Sequence, residues 1–351
     1  MADQEKNAGN DGDIVKHATL AWVLNNCEWE NVNYRETHAG NGIQINPTTG
    51  TKENPNPKPH INKLKQKIDA LKTNPNNSIS YYYIEYLKNW WIRNQPHEYP
   101  GSCIQAAEIL KKCGKSYSIK ATDTNYLALV GLIKSCHKLQ IAEDNYHILE
   151  DSFSNQIPWL IKDKNKPLDN LVLLIDPFKL VEPTGCFESE TAGGGISPTN
   201  ILNILDNFIK TNNVVGLWLT IDNMKKNLHE YLDELLVSFC HRYKVTVRSF
   251  KKGNYRISWF GFGNSSDWIN KFPTFPKSST VKKNDPLELW EEKPTYLCPP
   301  VSTNSSQTSP PSSMGSSQGQ GSISQNASDS DSDQSTETGE VNQQDGNPTK
   351  E

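Results

Sequence analysis

The sequence lacks three features that would each assign it to a class of protein. Its seven cysteines include no Cys-x-x-Cys pair, which argues against a zinc site and against a disulfide framework. It has no apolar run near the roughly 18 residues that a membrane-spanning helix needs. Its first residues, MADQEKNAGNDGD, are too polar for a signal peptide. We therefore expect a cytoplasmic monomer that binds neither a metal ion nor a membrane.

Aromatic residues are missing from the C-terminal part of the chain. From Val301 onward there is no Trp, Tyr or Phe, and Ser, Gln, Gly and Asn predominate. Such a segment buries too little apolar surface to offset its ordering entropy, so we expect residues 301–351 to form a disordered tail. The tail holds seven of the 40 acidic residues and one of the 36 basic residues. Without it the net charge is near +2 rather than −4, which permits a nucleic-acid partner but does not by itself indicate one.

Hydrophobic periodicity predicts an α/β fold for the rest of the chain. Helical spacing starts at Asp13, which we expect to cap the first helix, and a strand follows at 32–36. Residues 46–99 resemble an insertion with two helices, and Ser102 is expected to cap the helix after it. The remaining predicted strands are 116–121, 145–149, 170–175 and 214–221, and the predicted helices are 60–72, 78–93, 103–113, 124–136, 154–162, 198–211 and 227–242. A hairpin across the Lys-Lys-Gly-Asn turn ends the pattern.

This alternation predicts a mostly parallel, doubly wound sheet with a C-terminal antiparallel hairpin. We expect a flexible N-terminus over 1–12, a main domain over 13–265 and an extended segment over 266–300. Ligands of such sheets bind at the carboxyl ends of the strands, where the strand order reverses.

Glycines and acidic residues follow several of the predicted strands. His38, Gly40 and Gly42 lie in the loop after the first strand, where glycine lets the backbone turn and a ligand come close. The acidic residues at the next three strand ends are Asp123, Asp151 and Asp176. A single acid in such a place is often only a helix cap. Three of them behind a glycine loop favour a cofactor that carries a ribose and an adenine.

Short motifs occur in the order and approximate spacing of one known family. They are GNDGDIVKH at 9–17, THAGNG at 37–42, YPGS at 99–102, TD at 122–123 and IDPF at 175–178. With these motifs, residues 9–263 resemble the bacterial 23S ribosomal RNA adenine-N6 methyltransferases of the large-subunit methyltransferase J type. The resemblance implies a Rossmann-like class I methyltransferase fold with a helical insertion after the first strand. It also implies S-adenosylmethionine as cofactor and RNA as partner.

The resemblance also implies a cofactor site. The residues that the resemblance places in this site are Lys16, His17, His38, Gly40, Gly42, Ser102 and Asp151. We add Asp123 because it ends the second predicted strand. Lys16 and His17 would approach the cofactor from the first helix. His38 would line its methionine end, and Asp151 would stand where the family recognises the adenine.

The catalytic motif implied by the resemblance is Asp176-Pro177-Phe178, where the family has Asp-Pro-Pro-Tyr. An exocyclic amine conjugated with a ring is a poor nucleophile. The Asp176 carboxylate and the Pro177 carbonyl would accept the two hydrogens of this amine. Phe178, which lies one position earlier in the motif than the family's Tyr, would stack on the flipped-out base. The chain also has Ser118 where the family has a Glu, and it lacks the family's Tyr-Arg-His start.

Other interpretations stay open. The Asp-Pro-Phe motif also resembles the three-cysteine-motif partner proteins, a related group. As the alternative to an enzyme, the altered motif also fits a protein that keeps the cofactor pocket but acts by binding RNA or protein. In YYYIEYLKNWWIRN at 81–94, aromatic and basic residues alternate, and the aromatics either stack on RNA or, at Tyr82, Tyr86 and Trp90, pack in the core. The glycines at 193–195 would form a mobile loop or a lid.

Overall fold

Helices and strands alternate along the chain as the periodicity predicts. The computed structural model describes residues 9–45, 59–71, 79–95, 98–151, 157–158, 160–163, 166–177, 179–184, 195–221, 225–273 and 290–292, all within the compact unit 1–302. The helices are α1 (Asp11–Asn26), α2 (Pro59–Asp69), α3 (Tyr81–Arg93), α4 (Ser102–Lys112), α5 (Tyr126–Lys138), α6 (Pro198–Asp206), α7 (Lys226–Tyr243) and α8 (Ser265–Asn270). The strands are β1 (Asn31–Glu36), β2 (Ile43–Ile45), β3 (Glu98–Pro100), β4 (Ser116–Asp123), β5 (Tyr146–Glu150), β6 (Lys162–Asp163), β7 (Lys166–Pro167), β8 (Leu171–Ile175), β9 (Lys179–Leu180), β10 (Gly195–Ile196), β11 (Val214–Thr220), β12 (Thr246–Lys252), β13 (Tyr255–Gly261) and β14 (Trp290–Glu292).

Within the described ranges, eight strands form the main sheet, in the order β14-β12-β13-β11-β8-β1-β4-β5. The neighbours from β5 across to β11 are parallel, whereas β11, β13, β12 and β14 pair antiparallel. The chain runs from β1 outward to β4 and β5 and then returns to β8 on the other side of β1. The order therefore reverses between β1 and β8. The predicted doubly wound, mostly parallel sheet with its C-terminal hairpin is confirmed.

Strand β8, with the sequence LVLLI, is buried at every residue because helices cover both faces of the sheet. Val172 and Leu174 belong to a core shared with α1, α3 and α4. The other three residues of the strand belong to a second core with α6 and α7. Successive side chains of a strand point to opposite faces, so one strand anchors both layers. Each fully buried aliphatic side chain contributes about 1.5–3 kcal/mol.

Helix α3, in the predicted insertion, packs onto α1. Tyr86 and Trp90 are buried as the amphipathic pattern predicts, whereas Tyr82 is only partly buried against the core. The indole nitrogens of Trp90 and Trp91 both donate to the backbone carbonyl of Glu98, at 3.1 and 3.0 Å. These bonds join α3 to β3, which leads directly into α4.

Two helix starts differ from the sequence prediction. The N-cap of α1 is Asn10, whose side-chain oxygen accepts a hydrogen bond from the Asp13 backbone N–H at 3.0 Å. Asp13 therefore lies inside the first turn and does not cap it. Gly101 precedes α4, and Ser102 is its first residue. Ser102 does not cap the helix, because its hydroxyl is used by a buried carboxylate described below.

Several predictions fall on residues outside the described ranges. They concern residues 154–156 and 159 of the helix expected at 154–162, the first two glycines at 193–195, Phe178 and the tail at 301–351. Within the segment that we expected to be extended, α8 is helical and β14 pairs with β12. Across the described ranges, no helix combines the length and the apolarity needed to cross a membrane.

Candidate functional site

A cavity of about 380 Å³ opens at the carboxyl ends of the parallel strands, where their order reverses. This volume lies in the lower part of the range of small-molecule sites, roughly 300–1,000 Å³. The residues that line the cavity are Asn10, Asp13, Lys16, His17, His38, Ala39, Gly40, Gln44, Gly101, Ser102, Asp176, Trp218, Thr220 and Tyr255. The residues that we chose from the sequence and that lie here are Lys16, His17, His38, Gly40, Ser102 and Asp176.

The loop after β1 is held between the two neighbouring strands. The Thr37 N–H donates to the Leu174 carbonyl of β8 at 3.2 Å, and the Ala39 N–H donates to the Thr122 carbonyl of β4 at 3.1 Å. Gly40 follows with φ +60, and a Cβ placed on it would meet no atom within 4 Å. The two hydrogen bonds therefore fix the backbone of the loop, and the space in front of Gly40 is open.

Gly42 has a packing role instead. Its φ is +72, and a Cβ on it would lie 2.8 Å from the Ser135 hydroxyl and 2.9 Å from the Leu132 Cα. Its carbonyl accepts a hydrogen bond from the Gly101 N–H. Gly42 thus lets the loop lie directly against α5 and joins it to the start of α4. It does not line the cavity.

Lys16 and Asp176 form an ion pair inside the cavity. Lys16 Nζ lies 2.7 Å from Asp176 Oδ2, and the two side chains are 12% and 11% exposed. Asp13 Oδ1 is 3.8 Å from the same ammonium. Burial acts to lower the pKa of Lys16, but Asp176 and Asp13 act to raise it, and the net shift is upward. Lys16 therefore remains a cation that holds the Asp176 carboxylate in place.

His17 is a buried neutral histidine on the cavity wall. Its Nδ1 is 2.9 Å from the Tyr99 hydroxyl, which in turn is 2.6 Å from the Tyr83 hydroxyl. Burial, and then the charge of Lys16, holds the pKa of His17 well below its usual range. Its Nε2 has no hydrogen-bond partner within the described part of the chain. A buried polar atom of this kind is suited to a ligand that bonds to it.

A buried carboxylate that the sequence pattern did not indicate, Glu36 at the end of β1, lies beneath the cavity. It accepts hydrogen bonds from the Tyr34 hydroxyl at 2.9 Å, from the Cys103 thiol at 3.0 Å and from the Ser102 hydroxyl. Burial raises its pKa, and Lys16 partly opposes that rise. Ser102 thus lies at the cavity with its hydroxyl turned to Glu36. No sequence signal pairs these residues, because they meet only after folding.

His38 lies half-buried between the ends of β1 and β8. Its Nδ1 is 2.8 Å from the Thr37 hydroxyl, and that hydroxyl accepts the Asp176 N–H at 3.2 Å. Burial lowers the pKa of His38, although Asp176 and Asp123 act to raise it. A mostly neutral imidazole therefore faces the same space as the Lys16–Asp176 pair.

The other acidic residues chosen from the sequence do not line the cavity. The Asp123 side chain accepts the Gly40 N–H at 3.0 Å and the Asn125 N–H at 2.9 Å, so it fixes the glycine loop. Asp151 follows β5, and its N–H donates to the Asp123 carbonyl at 3.2 Å. Pro177 is buried directly behind Asp176, and Phe178 lies outside the described residues.

Two aromatic residues that the sequence analysis did not select form one wall of the cavity. Leu217 pairs with Ile175 in the parallel register, so the next residues, Trp218 and Asp176, lie side by side. The Trp218 ring stacks on Tyr255, with centroids 5.6 Å apart and planes 23° apart, and Lys16 Nζ lies 5.6 Å from the Trp218 centroid. In the sequence, alternation along β11 does not distinguish Trp218 from a core residue.

The strand order, the position where it reverses and the terminal hairpin define a Rossmann-like class I methyltransferase fold. No protein-family model matches the sequence, and no curated protein matches it significantly. Among solved structures, protein LPL1258 of Legionella pneumophila, which belongs to family model DUF519, is similar at 18% identity and a TM-score of 0.53. The match covers 83% of this chain and 100% of that one.

Two further solved structures are more distant. TrmK of M. capricolum, bound to S-adenosyl-homocysteine, is 10% identical with a TM-score of 0.34, covering 71% of this chain and 69% of its own. An rRNA methylase of Streptococcus thermophilus is 11% identical with a TM-score of 0.34, covering 71% and 94%. All these likenesses concern the fold alone, and none assigns the chain to the ribosomal RNA adenine-N6 family.

Proposed function

We propose that this protein transfers a methyl group from S-adenosylmethionine to an exocyclic amine, with adenine N6 in RNA as the acceptor. One observation carries the proposal. A single cavity at the point of strand reversal contains the ion-paired Asp176, the cation Lys16 and the neutral His38 in front of an open glycine loop. The choice of adenine in RNA rests on the resemblance of the motifs GNDGDIVKH, THAGNG and IDPF.

The residues of the cavity fit the proposed cofactor. His17 Nε2 and the Gln44 side-chain oxygen are buried without a hydrogen-bond partner among the described residues, so each suits a polar atom of a ligand. The space in front of Gly40 lets a ligand touch the backbone. When bound, S-adenosylmethionine supplies a methyl group on a positively charged sulfur. Lys16 suits the carboxylate of its methionine part, and the Asp13 carboxylate favours its positive charge.

Asp176 and its neighbours suit the acceptor amine. Lys16 holds Asp176 Oδ2, which leaves Oδ1 to accept a hydrogen from the amine. The carbonyl of Pro177 would accept the second hydrogen and so direct the lone pair at the methyl group. Trp218, beside Asp176, presents an aromatic ring on which a planar base can stack. The contribution of the protein is thus mainly positioning of the amine.

A second candidate is a protein that binds the cofactor without transferring the methyl group. The observation that favours it is the motif Asp-Pro-Phe-Lys in place of Asp-Pro-Pro-Tyr. Such a protein would act through RNA or protein binding. The two candidates predict the same cofactor binding and differ only in transfer.

The test is a transfer assay with radiolabelled S-adenosylmethionine on bulk RNA and on bulk DNA. We expect label in RNA with the wild-type protein and no label with Asp176→Asn, which keeps cofactor affinity in calorimetry. Asp69→Asn, at a carboxylate that is 56% exposed, is the matched control and should transfer normally. Cofactor binding without transfer to either nucleic acid would favour the second candidate, and absence of cofactor binding would refute both.

A further inference from the structure

A groove lies at the C-terminal ends of α1 and α4, away from the cavity described above. This groove has a volume of about 720 Å³ and is lined by one face of α3, the end of α4 and the end of α5. Asn25, in the last turn of α1, lines it as well. Asn25 is about 14 Å along the helix axis from Lys16, because an α-helix rises about 1.5 Å per residue. The groove is therefore separate from the proposed cofactor site.

Helix α3 has two different surfaces. Its core side is formed by Tyr83, Ile84, Leu87, Trp90 and Trp91, together with Tyr86, which is buried at the edge of the groove. The rings of Tyr81, Tyr82 and Tyr86 line the groove, and those of Tyr81 and Tyr82 meet edge to face with centroids 5.3 Å apart. The alternation of aromatic and basic residues in this helix thus serves packing on one side. On the other side it presents rings to a planar ligand.

Basic side chains outnumber acidic ones around the groove. The basic residues are Arg93, Lys111, Lys112 and Lys138, and the acidic residues are Glu85 and Glu108. Arg93 is bonded to Glu108 by two hydrogen bonds, at 3.1 and 2.9 Å. Among the described residues, no carboxylate pairs with Lys111 or Lys112, and both side chains are exposed. The two lysines are therefore available to an anion.

Tyr86 adds a polar group without a partner. The residue is 6% exposed, and within the described ranges its hydroxyl makes no hydrogen bond. Burial, and then the charge of Glu108, raises the pKa of Tyr86, so the hydroxyl remains protonated. The amide side chains of Asn89 and Gln140 line the same groove. Hydroxyl and amide groups of this kind bond to base edges and to the ribose 2′-hydroxyl.

We propose that the groove binds single-stranded RNA, with bases against Tyr81 and Tyr82 and phosphates against Lys111 and Lys112. The simpler role of the two lysines is to stabilise the C-terminal end of α4, whose carbonyls carry partial negative charge. That role explains neither the tyrosine rings that face the same space nor the unpartnered hydroxyl. The groove would hold a segment of RNA remote from the base that enters the cavity.

The experiment measures fluorescence anisotropy of a labelled single-stranded RNA of about twelve nucleotides over a series of salt concentrations. No cofactor is present. The double variant Lys111→Gln with Lys112→Gln should reduce the salt slope by about 1.4, since each phosphate contact of a single strand contributes about 0.7. Tyr82→Leu, which keeps an apolar side chain, should weaken binding about tenfold. Tyr86→Phe should weaken binding without lowering the melting temperature, because it removes only an unpartnered hydroxyl.

The matched control is the double variant Lys210→Gln with Lys226→Gln, which removes the same amount of charge from two exposed positions. Lys210 follows α6, and Lys226 is the first residue of α7. This control should leave the salt slope unchanged. The inference is overturned if the groove variants bind RNA like the wild type, or if the control lowers the slope equally. Equal affinity for DNA of the same sequence, or for polyglutamate, would also overturn it. Because the assay contains no cofactor, failure of S-adenosylmethionine to bind would refute the proposed function and leave this inference standing.

Discussion

Replacing Lys16 by Met tests the ion pair at the centre of the cavity. Lys16 Nζ and Asp176 Oδ2 are 2.7 Å apart in side chains that are about nine-tenths buried. Removing one partner leaves the Asp176 carboxylate without its counter-charge and close to Asp13. Breaking a buried pair in this way costs about 3–5 kcal/mol. An exposed pair contributes only about 0–1 kcal/mol.

The assay is urea unfolding at neutral pH, with the midpoint and the slope fitted separately. Lys16→Met should lower the free energy of unfolding by about 3–5 kcal/mol, and adding Asp176→Asn should restore most of that loss. Lys226→Met is the control, because the Lys226–Glu230 pair on α7 is 76% and 58% exposed, and it should change stability by less than about 0.5 kcal/mol. A loss below about 1 kcal/mol in Lys16→Met, or no recovery in the double variant, would show that the pair does not stabilise the fold in this way.

Three other predictions concern the packing, the pH dependence and the acceptor. Gly42→Ala should lose more stability in urea unfolding than Gly114→Ala. Both glycines have positive φ, but only a Cβ added at Gly42 would meet neighbouring atoms, at 2.8 Å. Equal losses would contradict this. Because the pKa of His17 is lowered in the folded state, the folded state binds a proton on His17 less readily than the unfolded state does. The stability that the neutral imidazole contributes is therefore present above about pH 6.5 and is lost as the pH falls. His17→Asn should therefore lose less of its unfolding free energy between about pH 7.5 and pH 5 than the wild type, and parallel curves would contradict this. Trp218→Leu should raise the KM for the nucleic-acid acceptor and leave cofactor affinity unchanged in calorimetry, whereas Trp218→Phe should retain most of the acceptor affinity; an unchanged KM in both would remove Trp218 from the acceptor site.

The parts of the fold that depend on local pattern could be predicted from the sequence. The run LVLLI predicts a strand covered on both faces, and β8 is such a strand. The order of alternating elements, with a hairpin at the end, predicts a doubly wound sheet, and in the structure its strand order reverses between β1 and β8. Glycine-containing loops and acids at strand ends then indicate the edge of the sheet at which the cavity lined by Lys16, His38 and Asp176 lies.

The parts of the site that depend on contacts between distant residues could not be predicted. Glu36 looks like the polar end of a strand, and it is buried because Ser102 and Cys103 bond to it from α4. Trp218 looks like a core residue of β11, and only the register with β8 places it beside Asp176. A helix cap depends on a single residue, and the pattern that placed it at Asp13 missed Asn10, which caps α1.

The proposed function requires that the cavity in front of Gly40 holds S-adenosylmethionine. Isothermal titration of S-adenosylmethionine into the wild-type chain, Gly40→Leu and Gly114→Leu tests it most directly. The two glycines have φ +60 and +70 with open space around them, so both variants carry the same backbone strain, and only Gly40 lines the cavity. We expect one-to-one binding by the wild type and by Gly114→Leu, and no binding by Gly40→Leu. No binding by the wild type, or undiminished binding by Gly40→Leu, would contradict it.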